Sequence, residues 1–222
     1  MNYMRQSIKL LLAISIIYVT TVSVHAAVEG RLEYHIPLDY TKLSQEELDA
    51  KAGFYYNLVA TKNYSGKLND DMTTALNLYM MLHRKNPQNT FYSTRLGTLY
   101  DLLGQDKYAR GCFEMALGVD SSKPEPYFRL GEFYYKRMLY KKALKNYKEA
   151  YKHGYTEHYE TLYKLGDIYA KLGDTETAIK YLRLAAQKNP NAELDNKLQR
   201  INAANATNRE YYSNTRIRLI EK

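Results

Sequence analysis

Five histidines, one cysteine and 24 carboxylates are the groups with which this chain could run metal, nucleophilic or acid–base chemistry. Their spacing assembles no such site. His153 and His158 flank a connection with no cysteine nearby and no convergent carboxylates, so they read as solvated loop histidines rather than as metal ligands. There is no glycine-rich phosphate loop, nucleophile elbow or zinc-protease helix. Cys112 is the single cysteine, beside Phe113 on a helical stretch, which predicts a buried and inert thiol without an intramolecular disulfide. The expectation is therefore a non-enzyme with no catalytic residue, no metal and no cofactor, and the question of function moves from reactive groups to surfaces.

The elements that build those surfaces begin with an N-terminal leader pattern. Arg5 and Lys9 precede a mostly apolar run from Leu10 to Val24, softened by Ser15, Thr20, Thr21 and Ser23. Val24-His25-Ala26 then supplies small residues at a cleavage position. This predicts a signal peptide over 1–26 and export to the periplasm or cell envelope, or beyond it; the alternative is an uncleaved inner-membrane anchor, for which the run is short of the roughly 20 residues a spanning helix needs. The formal net charge is +8, of which Arg5 and Lys9 supply two. Such a moderate, mixed-sign balance reads as a solvated surface rather than a nucleic-acid footprint. With 24 tyrosines, no tryptophan and five prolines, the chain is too aromatic to be disordered.

Residues 27–43 alternate apolar and polar at Leu32, Tyr34, Ile36, Leu38 and Tyr40 around Pro37, which predicts an extended arm that packs on the first helices or in a partner's groove. Ser44-Gln45-Glu46-Glu47 is a capping box opening a helix continued by Leu48, Ala52, Tyr55 and Val59. A polar loop from Thr61 to Asp71 separates it from a helix through Ala75, Tyr79 and Leu82 that stops near Asn86-Pro87. Three helical hairpins follow, turning at 104–106, 138–140 and 173–174. Pro190 ends the last, and Leu194, Leu198 and Ile201 mark a terminal helix over 191–204 that covers the remaining apolar surface, followed by a tail over 205–222.

One spacing organises the hairpins. Gly97, Gly131 and Gly166 lie 34 and 35 residues apart, each after a leucine. Each is followed after three residues by a tyrosine (Tyr100, Tyr134, Tyr169) and after twelve by an alanine (Ala109, Ala143, Ala178). A large apolar residue comes four beyond the alanine (Phe113, Tyr147, Leu182), and a second alanine seven beyond it (Ala116, Ala150, Ala185). Glycine inside a helix costs roughly 1 kcal/mol against alanine. Its recurrence in one register predicts a close helix approach, with glycine meeting the first alanine and larger residues filling either side.

In these residues, together with Tyr127 and Pro190, the chain resembles the tetratricopeptide repeat (TPR) family over about residues 89–190. The resemblance implies an all-α fold, a right-handed solenoid of antiparallel helix pairs. A divergent hairpin over 44–88 keeps Ala75, Tyr79, Leu82 and Pro87 but has Asn63 where the glycine belongs; Gly53 and Tyr56 sit ten residues early, which predicts an insertion in its loop. The family further implies a concave face lined by the first helix of each repeat. Offsets from the glycines put Arg95, Arg129 and Lys164 in one row beside Phe128 and Tyr163. Thr98, Glu132 and Asp167 fall in another, and Tyr135, Lys136 and Lys171 in its neighbours. Aromatics beside a basic row suit an extended peptide with acidic groups or a free carboxylate. The competing reading is a solvated face of ion pairs, since Glu132–Lys136 and Asp167–Lys171 are i,i+4 pairs. TPR clamps for chaperone tails use asparagine where Thr98, Glu132 and Asp167 stand, so that specificity is not implied. The expected function is a non-catalytic scaffold or adaptor binding a protein or peptide in the cell envelope. The alternative is an envelope polysaccharide or an anionic membrane surface held by the basic face.

Overall fold

The computed structural model describes residues 38–61 and 70–220, all of them helical or in turns. The expected signal peptide, the arm up to residue 37 and the loop over 62–69 lie outside the described residues. The described part divides after Asp120 into two compact units.

The first unit opens with a 3₁₀ turn, Leu38–Lys42, followed by α1 (Gln45–Thr61), α2 (Asp70–Lys85), α3 (Thr90–Leu102) and α4 (Asp106–Val119). The 3₁₀ turn corrects the extended reading at the end of the arm. The Leu43 N–H bonds the Tyr40 carbonyl at 3.3 Å, and the described residues contain no strand to which an extended segment could pair. The capping box forms as its spacing requires. The Glu47 N–H donates to Ser44 Oγ at 3.2 Å, and the Ser44 N–H donates back to the Glu47 carboxylate at 2.8 Å. Leu48, Ala52 and Val59 are buried, but the core takes Tyr56 rather than Tyr55. Asp70 and Asp71 lie within the first turn of α2, where acidic side chains complement the helix dipole. Asn89 caps α3 by accepting from the Phe91 N–H at 3.1 Å.

The second unit contains α5 (Pro124–Lys136), α6 (Tyr140–Lys152), α7 (Tyr159–Lys171), α8 (Thr175–Lys188) and α9 (Ala192–Ile220). Proline opens α5, where the missing N–H costs nothing. Asp174 caps α8 through the Thr177 N–H at 3.0 Å, and Asn191 caps α9 through the Leu194 N–H at 2.9 Å. Leu194 is buried with Leu162, Leu182 and Ala185, and Leu198 and Ile201 pack against that cluster, so the terminal helix closes the apolar surface as expected. It does not stop at 204. The backbone stays helical to Ile220, because no glycine or proline follows Pro190 to break it.

Each complete hairpin is keyed at its glycine, but not by the alanine the register predicts. A Cβ on Gly97 would come within 2.6 Å of the Phe113 ring, and one on Gly166 within 2.6 Å of Leu182 Cγ and 3.0 Å of the Leu182 backbone nitrogen. A Cβ on Gly131 would meet the Tyr147 ring at 3.1 Å. The glycine is thus the hole into which the large residue sixteen positions later inserts, and the alanines are the small residues that let that helix come down. Gly53 has no such contact. In the first hairpin Tyr79 instead meets the Tyr56 ring edge-on, 5.9 Å between centroids. Cys112 is fully buried in α4, and burial pushes its thiol up to about 12.

The glycine holes predict an ordering. Alanine gains about 1 kcal/mol of helix propensity, while overpacking costs about 1–3 kcal/mol. Gly166→Ala, which strikes backbone, is expected to be clearly destabilising, and Gly131→Ala close to neutral, with Gly131→Leu costing about 1–3 kcal/mol. Urea midpoints in which Gly131→Ala is the worse of the two alanine variants would remove this account.

Candidate docking face

In the second unit, one face is shared by α5, α7 and the first turns of α9. Its centre is Asp167, buried at 6% exposure on α7. The Tyr135 hydroxyl of α5 donates to its carboxylate at 2.5 Å, the Lys197 ammonium of α9 donates to the other oxygen, and Lys171 stands 3.8 Å away. Lys197 also donates to the Tyr163 hydroxyl at 3.2 Å and sits 4.6 Å from the centre of that ring. Lys164 lies 3.9 Å over the Tyr135 ring and 3.5 Å from Glu132, whose carboxylate also accepts the Tyr147 hydroxyl. At the other end of α5, Arg129 pairs with Glu125 at 2.7 Å, and Tyr155 donates to the same carboxyl group. The face is a chain of tyrosine, carboxylate and lysine links joining three helices.

These links shift the groups that make them. Burial disfavours ionised Asp167, but its hydrogen bonds from Lys197 and Tyr135 and the positive charge of Lys197 and Lys171 outweigh burial and hold the carboxyl below its usual range. Burial likewise disfavours charged Lys197, yet its bonds to Asp167 and Tyr163 hold the ammonium above the usual lysine value. Burial first, then the bond to Asp167, raises the Tyr135 phenol; burial and Glu132 raise Tyr147. Tyr135 and Tyr147 therefore stay neutral donors at physiological pH.

The structure distributes the expected groove residues unevenly. Tyr135, Tyr163, Lys164, Asp167, Lys171 and Glu132 come together on the face just described. Phe128 does not line it. It is buried in the core, edge-on to Tyr147 at 5.7 Å and to Tyr155 at 5.8 Å, because α5 turns that side toward α6. Asp167 is a buried anchor rather than an open groove acid. Arg129 bonds backward to Glu125, and Glu132 reaches Lys164 on α7 and Tyr147 on α6. Lys136 is exposed near the end of α5. Arg95 belongs to the first unit, stacked 4.2 Å from the centre of the Tyr56 ring and 4.7 Å from that of Phe91. Thr98 in the same unit donates to the Thr94 carbonyl of its own helix at 3.1 Å. The basic row is therefore held by aromatic and acidic neighbours within the fold.

Lys197 is the residue that sequence reasoning missed. It lies thirty positions from Asp167, with all of α8 between them, on a helix valued only for its apolar side. The loop histidines are also more than solvated. His158 Nδ1 caps α7 by accepting from the Thr161 N–H at 3.4 Å, and its ring stacks on Tyr155 at 4.3 Å; His153 stacks on Tyr127 at 5.4 Å. Among the described residues no group of three or more His, Cys, Asp or Glu could hold a metal ion, and no helix is long and apolar enough to cross a membrane.

Beside Lys197 the face opens into a cleft of about 540 Å³ lined by Tyr163, Glu193, Asn196, Lys197 and Arg200. Residues 159–192, which form α7, α8 and their connections, match the model of the tetratricopeptide repeat family. That segment is similar to a tetratricopeptide repeat. The TPR fold is shared with a tetratricopeptide repeat protein from Parabacteroides merdae ATCC 43184, 22% identical, over 71% of this chain and 58% of that one, with a TM-score of 0.56. It is shared with MamA from Desulfovibrio magneticus RS-1, 19% identical, over 74% and 92% of the two chains, with a TM-score of 0.54. The first TPR of Spaghetti (RPAP3), solved bound to the HSP90 peptide SRMEEVD, is 20% identical over 54% of this chain and 94% of that one, with a TM-score of 0.50. No curated protein matches the chain.

The Asp167–Lys197 pair predicts a two-sided pH dependence. A lowered carboxyl pKa contributes stability that is complete above the usual carboxylate range and lost as pH falls through the folded value; a raised ammonium pKa contributes stability lost as pH rises through its own folded value. Lys197→Met leaves the buried carboxylate short of its main partner and is expected to cost about 1–3 kcal/mol at neutral pH. The offset of Asp167→Asn from the parent protein should shrink as pH falls below the usual carboxylate range and vanish only beneath the lowered folded value of Asp167. Denaturation midpoints for Asp167→Asn that keep the same offset from pH 3 to pH 7 would contradict the pairing.

Proposed function

We propose that this protein is a non-catalytic TPR adaptor that docks a peptide or partner protein on the face of α5, α7 and α9. The observation that carries the reading is the cleft beside Lys197. Its ring wall, Tyr163, is fixed by the Lys197 bond, so little order is lost on binding. Asn196 and Arg200 offer donors and Glu193 an acceptor, the mix that recognises a peptide main chain together with a carboxylate. The RPAP3 domain, which shares the fold and was solved bound to a peptide, supports this reading, and the identity of its ligand is not carried over. The interior of the face, from Glu125 to Asp167, is occupied by its own ion pairs and serves to hold the helices in place.

The leader pattern at 1–26 supports export, with the mature chain beginning at Ala27 and the adaptor working in the cell envelope. Mass spectrometry of the protein recovered from its native envelope fraction should give a chain starting at Ala27; a chain retaining Met1 to Ala26 would replace export and cleavage with an anchored form.

Docking is tested by selecting ligands for the full mature chain from a random peptide display library. Arg200→Glu combined with Asn196→Ala is expected to weaken the selected peptides by about tenfold, because both residues are exposed and neither holds the fold. Unchanged affinity would move the site away from the cleft.

A further inference from the structure

The three hairpin turns differ at one position in a way that stability does not explain. The turn between α3 and α4 places Gly104 at φ +70, and the turn between α7 and α8 places Gly173 at φ +87. The equivalent turn between α5 and α6 places Met138 at φ +56, in the left-handed region that side chains rarely adopt. That methionine is also 71% exposed, and its neighbour Leu139 is 44% exposed. The chain thus accepts backbone strain and gains no burial in return. Leu172, 41% exposed, precedes the next turn, and its neighbour Lys171 lies 5.4 Å from the ring centre of Tyr140, which places the two turns side by side. Exposed apolar side chains thus stand on both of these neighbouring turns.

The charge behind the tip is one-sided. Between Glu132 and Glu149 the sequence has six basic residues and no acid. Lys141, Lys145 and Lys148 recur at i, i+4 and i+7 on the exposed side of α6, opposite the buried Ala143, Tyr147 and Ala150. Lys142 is exposed beside them. Apolar side chains at a projecting tip, backed by a lysine stripe, complement an interface that is hydrocarbon beneath and negative at its surface. A nucleic acid would satisfy the lysines but leave methionine and leucine in water.

We infer that the α5–α6 turn is a peripheral docking site for an anionic phospholipid bilayer, with Met138 and Leu139 entering the headgroup boundary and the α6 lysines resting on its charge. Leu172 widens the tip, and Asp174 remains engaged as the cap of α8. This site shares no residue with the peptide cleft, so the two stand or fall separately.

The test is co-sedimentation of the full mature chain with vesicles of equal parts phosphatidylglycerol and phosphatidylcholine, against phosphatidylcholine alone. Binding is expected to the anionic vesicles only, and to weaken as salt rises. Met138→Gly suits the backbone and should not lower the thermal midpoint. Combined with Leu139→Ser, it should reduce the partition coefficient by about tenfold. The protein has no tryptophan, so Leu139→Trp supplies a single reporter whose emission should shift to the blue on the anionic vesicles. Arg200→Glu with Asn196→Ala should leave vesicle binding intact. Vesicle binding by the Met138→Gly, Leu139→Ser protein equal to the parent, equal binding to neutral vesicles, or capture by immobilised polyglutamate without any vesicle binding would each overturn the inference, the last in favour of an acidic protein.

Discussion

Everything in each complete hairpin hangs on the insertion of one large side chain into a hole left by a glycine. Phe113, Tyr147 and Leu182 each occupy the space that a Cβ on the facing helix would fill. Interiors are packed at near-crystalline density, so an atom added there displaces its neighbour rather than using slack. This contact sets the distance between the helices of a pair. In the second unit the next helix then seats on the second alanine, Ala150 against Leu165 and Ile168 and Ala185 against Leu194. The cost is a glycine inside each first helix, and the recurrence of that cost at one register is the structural requirement made visible.

The polar face depends on that register. Asp167 can receive Tyr135 from the preceding hairpin and Lys197 from the following helix only because α5, α7 and α9 arrive at matching heights. A carboxylate this buried stays ionised when hydrogen-bond donors and positive charge replace its water, and here donors come from two other helices. The abundance of tyrosine acquires a reason in the same geometry. A phenol can bury its ring between hairpins while its hydroxyl reaches a carboxylate on the edge, as Tyr147 does to Glu132 and Tyr155 to Glu125. The fold leaves the face open only where these links end, at α9.

The turns show how a repeat tolerates variation. Gly104 and Gly173 relieve the left-handed position that a tight helical hairpin imposes, and Met138 bears it. The surrounding packing over-determines the backbone there, so the side chain at that position is free to serve something other than the fold.

The helix pairs, the Ser44–Glu47 capping box, the buried cysteine and the closing role of Leu194, Leu198 and Ile201 are legible in the sequence. Each is set by local signals: a capping box, a proline, an apolar face at helical spacing, a glycine recurring every repeat. The length of the last helix was not, because a polar stretch without breakers carries no stop signal and no apolar stripe. The arm's end was misread for a related reason, since alternation predicts a strand only where another strand can pair with it. What only the tertiary structure decided is the partner of each side chain. It seats the large residue, not the alanine, over each glycine; it sends Phe128 into the core; and it joins Asp167 to a lysine thirty positions away. Periodicity states which side of its own helix a residue occupies. The angle and height at which a second helix arrives decide what that residue touches, and they are set by the packing of both helices together.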